Sequence, residues 1–108
     1  MTEPTTGDAP RPAYLLMTAR ITDSEKVAAY SQALEDSGLY AAHGGVTQFA
    51  GVPSNAVEGW PAGINAVLAR FPSRAAAEAF WFSAKYQQDI KPLRRGAGTF
   101  QVAIFDAI

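Results

Sequence analysis

The chain has 108 residues, nine basic and ten acidic side chains, and no cysteine. This length favours one domain, and the absence of cysteine excludes disulfides, thiolate metal sites, iron–sulfur clusters and a cysteine nucleophile. The near-neutral charge, without clustered Lys or Arg, argues against nucleic acid or an anionic membrane as a partner. No apolar run has the length of a transmembrane helix, and no secretory signal opens the sequence, so we expect a cytoplasmic protein.

The first segment, Met1–Pro12, is rich in Pro, Thr, Gly and acidic residues and has no bulky apolar residue after Met1. Such a segment cannot offset its ordering entropy by burial, so we expect a flexible tail and one domain over residues 13–108. Ala13–Ile21 is almost continuously apolar, which predicts a strand that is covered on both faces.

The next segment predicts a helix, a turn and a strand. Thr22-Asp23-Ser24-Glu25 matches a capping box with Thr22 as the N-cap, and the apolar residues behind it have helical spacing: Val27, Tyr30 and Leu34. Gly38 is a candidate C-cap, although the helical pattern can continue for another turn. Gly44-Gly45 then permits a sharp change of direction into a strand at Val46–Ala50.

The middle of the chain alternates turn-forming and strand-forming segments. Gly51–Asn55 predicts a turn or hairpin connection, followed by a short strand at Ala56–Glu58, a loop over residues 59–63 and a long strand at Ile64–Phe71. Ser73 is the expected N-cap of a second helix, and its apolar positions keep helical spacing: Ala76, Ala77, Phe80, Trp81 and Ala84.

The C-terminal part ends on another strand. Tyr86–Arg95 predicts less regular helical turns, with Pro92 suited to a first-turn position. Gly96-Ala97-Gly98 ends these turns, and Thr99–Asp106 predicts the last strand, with one apolar face: Phe100, Val102 and Ile104. The order β-α-β-(β)-β-α-β is the split βαβ pattern of an α+β, ferredoxin-like sandwich, in which both helices cover one face of an antiparallel sheet.

Both faces of the predicted strands carry apolar side chains. In the first strand Leu15, Met17 and Ala19 alternate with Tyr14 and Leu16. In the strand at Ile64–Phe71, Val67, Ala69 and Phe71 alternate with Ile64 and Leu68. Because the helices cover one face only, the second apolar face would contact water in a monomer. We therefore expect a homodimer in which two copies pair their sheets.

Five short motifs follow one another over most of the chain: Gly44-Gly45, Glu58-Gly59-Trp60, Phe71-Pro72-Ser73, Ser83-Ala84-Lys85-Tyr86-Gln87 and Lys91-Pro92-Leu93-Arg94. From Ala13 to Ile108 the chain resembles the uncharacterised family called domain of unknown function 1330, of the dimeric α/β-barrel superfamily. The resemblance implies a ferredoxin-like protomer that pairs with a second copy into a dimeric α/β barrel. Family members commonly have a polar residue, often Asp, before the Ser. Phe82 stands there in this chain, which indicates a more apolar ligand.

His43 is the only histidine and therefore a candidate catalytic acid–base group. The alternative is an exposed loop side chain before the Gly-Gly turn. We expect no metal site, because one His without Cys leaves only carboxylates to complete it. Relatives in the superfamily bind haem, but no other feature of this chain supports haem ligation by His43, so we expect no cofactor.

Tyr86 and Arg94 flank the irregular segment and are candidate catalytic residues. An Arg guanidinium is a rigid fork for a carboxylate, phosphate or enolate, and a nearby phenol can donate or relay a proton. Alternatively, Arg94 pairs locally and Tyr86 packs in the core. The resemblance favours the functional interpretation.

Four further residues complete the candidate site. Glu58 would be a general base if it is desolvated beside Trp60, or else an exposed hairpin carboxylate. Trp60 and Trp81 are candidate walls of a substrate pocket, or else core and interface anchors. Ser83 is a candidate substrate contact, and because it lacks a Gly-x-Ser-x-Gly context it does not resemble a hydrolase nucleophile.

Three hypotheses of function follow. The first, from the superfamily resemblance and from His43, Glu58, Tyr86 and Arg94, is a homodimeric enzyme without metal or tightly bound cofactor. It would carry out proton-transfer chemistry (isomerisation, cyclisation, decarboxylation or cofactor-free oxygenation) on a small apolar carbonyl or carboxylate metabolite. The second is a non-catalytic dimer that binds or senses a small ligand, and the third is a structural dimerisation domain.

Overall fold

The structure is a computed structural model that describes residues 11–108. Four strands form one antiparallel sheet in the order β2-β3-β1-β4, with bounds β1 Ala13–Ile21, β2 Val46–Gly51, β3 Ile64–Phe71 and β4 Gly98–Asp106. This topology confirms the expected α+β, ferredoxin-like fold. The expected flexible tail lies, but for its last two residues, outside the described part of the chain.

The central strand β1 determines which side chains share a face. Leu15 lies opposite Ala69 on β3 and Ile104 on β4, so these three point to the same side of the sheet. The helices cover this side. Along the neighbouring strands the partner positions alternate, which leaves the set around Leu16 and Leu68 on the opposite side.

The first helix, α1, spans Ser24–Ser37, and its N-cap differs from the prediction. The carboxylate of Asp23, not the hydroxyl of Thr22, accepts the backbone N–H of Lys26 at 3.1 Å. The backbone N–H groups of Thr22 and Asp23 both donate to the carbonyl of Ala97 instead. These hydrogen bonds hold Thr22 in the segment between β1 and the helix. The N-cap is therefore Asp23, one residue later than the capping-box pattern predicts.

Gly38 ends α1 in the left-handed conformation, with φ 69°, as the sequence predicts. A four-residue helix, α2 (Leu39–Ala42), follows directly. The chain then turns at Gly45, whose backbone N–H donates to the carbonyl of Tyr40 at 2.7 Å. A Cβ on Gly45 would lie 2.6 Å from the Phe71 ring, so only glycine allows this approach to the sheet.

The predicted short strand at Ala56–Glu58 is wrong. Residues 52–63 form an irregular connection between β2 and β3 that pairs with no strand. Val57 is 84% exposed, so its apolar side chain does not pack in the core of this chain. Strand propensity without a neighbouring edge to pair with does not suffice to form a strand.

The second half of the helical layer is irregular. Helix α3 spans Arg74–Trp81, and the hydroxyl of Ser73 caps it by accepting the N–H of Ala76 at 3.0 Å. A π-helical turn at Lys85–Ile90 and a 3₁₀ turn at Lys91–Arg94 follow. They agree with the prediction of less regular helical turns in this segment.

The core lies between the helices and the covered face of the sheet. Its buried residues form one cluster: Leu15, Tyr30, Leu39, Ala69, Phe71, Ala77, Phe80, Tyr86 and Ile90. No helix in the described part of the chain is long and apolar enough to cross a membrane.

Candidate functional site

Two tyrosine hydroxyls meet in the core, between α1 and the π-helical turn. The hydroxyl oxygens of Tyr30 and Tyr86 lie 2.7 Å apart, and the rings meet edge to face with centroids 6.3 Å apart. Only 7% of Tyr30 and 1% of Tyr86 is exposed. Because a buried hydroxyl needs a hydrogen-bond partner, each phenol supplies the partner of the other.

The segment after α3 fixes the position of Tyr86. The Ser83 hydroxyl donates to the carbonyl of Phe80 at 2.8 Å and accepts the N–H of Tyr86 at 3.2 Å. The Tyr86 ring then packs between Phe80 and Trp81, with centroid distances of 4.8 and 5.0 Å. Ser83 and Trp81 therefore orient Tyr86, and the π-helical turn brings its hydroxyl to α1.

A pocket of about 520 Å³ opens beside Tyr30, between α1 and the covered face of the sheet. We call it the helix–sheet pocket. Its walls are mainly apolar and include Met17, Leu34 and Val67. Its polar side chains are few: Tyr30, Ser31, Glu35, Tyr40 and Thr47. An apolar pocket with a few polar groups is the usual form of a small-molecule site.

The two tyrosines of this pocket are hydrogen-bond donors at neutral pH. Burial, followed by the neighbouring Tyr86, raises the pKa of Tyr30 above its ordinary value, and the charge of Arg94 opposes this rise. Burial, followed by Tyr86, also raises the pKa of Tyr40 to about 12. Both phenols are therefore neutral, so they can donate a proton to a ligand oxygen but cannot act as bases. Glu35 is the carboxylate among the residues that line the pocket.

Arg94 lies beside the Tyr30 ring and is 8% exposed. Its guanidinium carbon is 4.3 Å from the centroid of the Phe100 ring and 5.4 Å from that of Tyr30. Within residues 11–108, no carboxylate lies within 4.0 Å of the guanidinium, since the one ion pair found there joins Lys85 to Asp89. The aromatic faces stabilise the charge without neutralising it.

A profile of the family described as Domain of unknown function (DUF1330) matches residues 12–108. The chain belongs to this family. The match confirms the resemblance noted from the sequence motifs. A comparison with curated proteins gives no match.

Three solved structures have the fold of this DUF1330 chain. Two are of RPA0582, a protein of unknown function from Rhodopseudomonas palustris. The first has a TM-score of 0.64 and 15% identity, and the alignment covers 100% of this chain and 95% of the RPA0582 chain. The second, of the methylated protein, has a TM-score of 0.67 and 16% identity, and the alignment covers 100% of this chain and 93% of the methylated chain.

The third structure is a Caulobacter crescentus CB15 protein that is provisionally described as an antibiotic biosynthesis monooxygenase. It has a TM-score of 0.62 and 13% identity, and the alignment covers 93% of this chain and 92% of the Caulobacter chain. At these identities the likeness shows the fold alone.

The structure brings Tyr86 and Arg94 together around Tyr30 but places the other predicted catalytic residues elsewhere. His43 ends α2, and its half-buried ring lies 6.3 Å from the Phe80 ring, outside the lining of the helix–sheet pocket. Glu58 is exposed in the connection between β2 and β3. In this DUF1330 chain His43 and Glu58 therefore do not share a site with Tyr86 and Arg94.

Of the predicted substrate contacts, Trp60 lies on the open side of the sheet. It is 39% exposed, its indole N–H donates to the carbonyl of Ile64 at 3.3 Å, and it lines a shallow cleft with Thr18 and Gln101. Trp81 and Ser83 support Tyr86, as described above. None of the three is among the residues that line the helix–sheet pocket.

Sequence reasoning did not identify Tyr30 or Glu35 as site residues. The helical spacing assigns Tyr30 to the apolar face of α1, and it does lie there. The available signal was its hydroxyl, because a phenol on an inward helix face needs a polar partner. For metals, no group of three or more His, Asp or Glu side chains in residues 11–108 is close enough to bind an ion.

Proposed function

We propose that this protein is a metal-free and cofactor-free enzyme that binds a small, largely apolar carbonyl compound in the helix–sheet pocket and transfers a proton at the adjacent carbon. The observation that carries the proposal is the position of Tyr30. Tyr30 lines the pocket, and its hydroxyl is hydrogen-bonded to that of Tyr86 at 2.7 Å. When Tyr86 donates to Tyr30, the proton of Tyr30 is free for the ligand oxygen.

In this mechanism Glu35 removes the proton from the carbon beside the carbonyl. The C–H electron pair becomes the carbon–carbon double bond of an enolate, and the negative charge passes to the carbonyl oxygen. Tyr30 stabilises that oxygen by donating a hydrogen bond, which strengthens as charge develops. Return of a proton from Glu35 to carbon completes the cycle. Isomerisation, cyclisation, decarboxylation and cofactor-free oxygenation can all proceed through such an enolate.

The buried charge of Arg94 supports the same step. Its guanidinium lies 5.4 Å from the centroid of the Tyr30 ring and lowers the pKa of Tyr30 against the effect of burial. A fixed positive charge behind the donor increases the acidity of that donor and stabilises negative charge in front of it. Arg94 is therefore a positioning and electrostatic residue for Tyr30 in this proposal.

The active form that we propose is a homodimer joined through the open face of the sheet. This face carries exposed and half-buried apolar side chains, among them Leu16, Leu68, Phe49 and Phe105. An apolar sheet face is stable in water only when it is covered. A second copy is the simplest cover, and the interface should bury more than about 1,000 Å². Multi-angle light scattering at micromolar concentration tests this part, and a monomeric mass would contradict it.

The test of the reaction uses acetophenone and cyclohexanone in D₂O. Incorporation of deuterium at the carbon beside the carbonyl is followed by proton NMR, with and without protein. We expect the wild type to accelerate exchange. Tyr30→Phe should reduce the acceleration by about 10²-fold, the cost of losing one oxyanion donor, and Glu35→Gln by about 10² or more, the cost of losing a general base.

A matched control separates the site from general damage. Glu25→Gln removes an exposed carboxylate at the other end of α1. This variant should exchange like the wild type. Ketone binding without exchange would refute catalysis and favour the non-catalytic binding dimer. Absence of both binding and exchange would favour a structural dimerisation domain.

A further inference from the structure

A second recess, which shares no lining residue with the helix–sheet pocket, lies at the irregular segment. We call it the basic cleft. It has a volume of about 310 Å³ and is lined by Gln87, Lys91, Pro92, Arg94 and Arg95. Three of these five residues are cationic and none is acidic.

Arg94 is the unusual member of the basic cleft, because it is both charged and more than nine-tenths buried. Its Nε atom is buried and has no hydrogen-bond partner within residues 11–108. No carboxylate in the same part of the chain forms an ion pair with its guanidinium. A buried charge that lacks a partner is strongly destabilising, and proteins normally pair such charges with a group of opposite sign. Arg94 carries this energetic cost at one wall of the basic cleft.

The other charges of the basic cleft are also free of acidic partners within residues 11–108. The ammonium group of Lys91 lies 3.3 Å from the amide oxygen of Gln87 and 5.2 Å from the centroid of the Trp81 ring. Lys26 adds charge beside the cleft, since its ammonium group donates to the carbonyl of Arg95 at 3.3 Å. Asp89, the acid of the same segment, pairs with Lys85 at 3.4 Å.

We propose that the basic cleft is a binding site for a small oxyanion, a carboxylate or a phosphate group, that pairs with Arg94. A guanidinium presents its N–H donors as a planar fork, which matches two oxygens of such a group. Lys91 and Arg95 supply additional charge at the entrance. This site does not depend on the proton-transfer reaction proposed for the helix–sheet pocket.

The test is a titration of the wild-type protein with inorganic phosphate and, separately, with acetate. The reporter in the wild type is the Nε–H resonance of Arg94 in ¹⁵N NMR spectra. A parallel titration of the Trp60→Phe variant, in which Trp81 is the one remaining tryptophan, follows the fluorescence of Trp81. Sodium chloride at equal ionic strength is the reference. We expect a saturable shift of the Arg94 resonance with at least one of the two anions, and the anion that binds tighter identifies the ligand class.

Variants locate the site. Lys91→Gln and Arg95→Gln should each weaken binding by about twofold to fivefold, because each removes a partly solvated charge. Arg94→Lys should weaken it by more than about tenfold, because a charged hydrogen bond and the fork geometry are lost. Lys85→Gln, whose charge lies on the same segment but outside the cleft, should bind like the wild type. Shifts that do not saturate, or that equal those with chloride, would overturn the proposal, as would equal weakening by Lys85→Gln.

Discussion

Removing either hydroxyl of the Tyr30–Tyr86 pair should destabilise the protein, and the two losses should be unequal. Tyr30→Phe leaves the Tyr86 hydroxyl without a partner in a place where Tyr86 is 1% exposed. Tyr86→Phe leaves unpaired the hydroxyl of Tyr30, a residue that lines the helix–sheet pocket, and we expect water from the pocket to replace the lost partner. The pocket therefore determines which of the two variants is the less stable.

The expected magnitudes follow from this difference. A neutral buried hydrogen bond contributes about 1 kcal/mol net, and leaving a buried polar group unpaired costs about 1–3 kcal/mol. We expect a loss of about 2–3 kcal/mol for Tyr30→Phe and about 1 kcal/mol for Tyr86→Phe. The double variant leaves no orphaned hydroxyl, so its loss should be smaller than the sum of the single losses by about 1 kcal/mol or more.

Urea unfolding at neutral pH and one protein concentration measures all three variants. Equal losses for the two single variants would show that water does not reach the Tyr30 hydroxyl. A greater loss for Tyr86→Phe, or strict additivity in the double variant, would refute the hydrogen-bonded pair as described.

Three other outcomes are expected. Because burial raises the pKa of folded Tyr40 to about 12, its contribution to stability is complete below its unfolded pKa of about 10 and is lost as the pH rises from there to the folded pKa, by at most about 1.4 kcal/mol per pH unit. Unfolding in urea across alkaline pH should show this decline, and Tyr40→Phe should reduce it. Gly45→Ala should cost about 1–3 kcal/mol by overpacking, because the new Cβ would lie 2.6 Å from the Phe71 ring, and no fall in melting temperature would contradict that contact. Ser73→Ala should cost about 1 kcal/mol because the N–H of Ala76 loses its cap, and Ser73→Asp should restore most of it in the same assay.

Most of the fold could be predicted from the sequence, because alternation and helical spacing are local signals. The strand at Ala13–Ile21 and the cap at Ser73 needed only their own neighbours to be recognised. The errors have a different origin. Thr22 lost its capping role because Ala97, distant in sequence, accepts its backbone N–H, and Ala56–Glu58 found no strand edge to pair with.

The candidate site was less accessible to sequence reasoning than the fold. Tyr86 and Arg94 were selected because they flank an irregular segment, and both do lie beside Tyr30. Tyr30 itself has the spacing of an ordinary core residue, and Glu35 that of an exposed helix position. Whether such residues face a pocket depends on the distance between a helix and the sheet, which no local pattern encodes.

The ¹³C carbonyl chemical shift of labelled cyclohexanone bound to the protein tests most directly whether Tyr30 donates to the ligand. Donation of a hydrogen bond from Tyr30 polarises the carbonyl, so we expect a downfield shift on binding to the wild type. The shift should return toward its value in an apolar solvent with Tyr30→Phe, while Glu25→Gln leaves it unchanged. A bound ketone whose carbonyl shift is the same in the wild type and in Tyr30→Phe would contradict the claim that Tyr30 is the donor in this pocket.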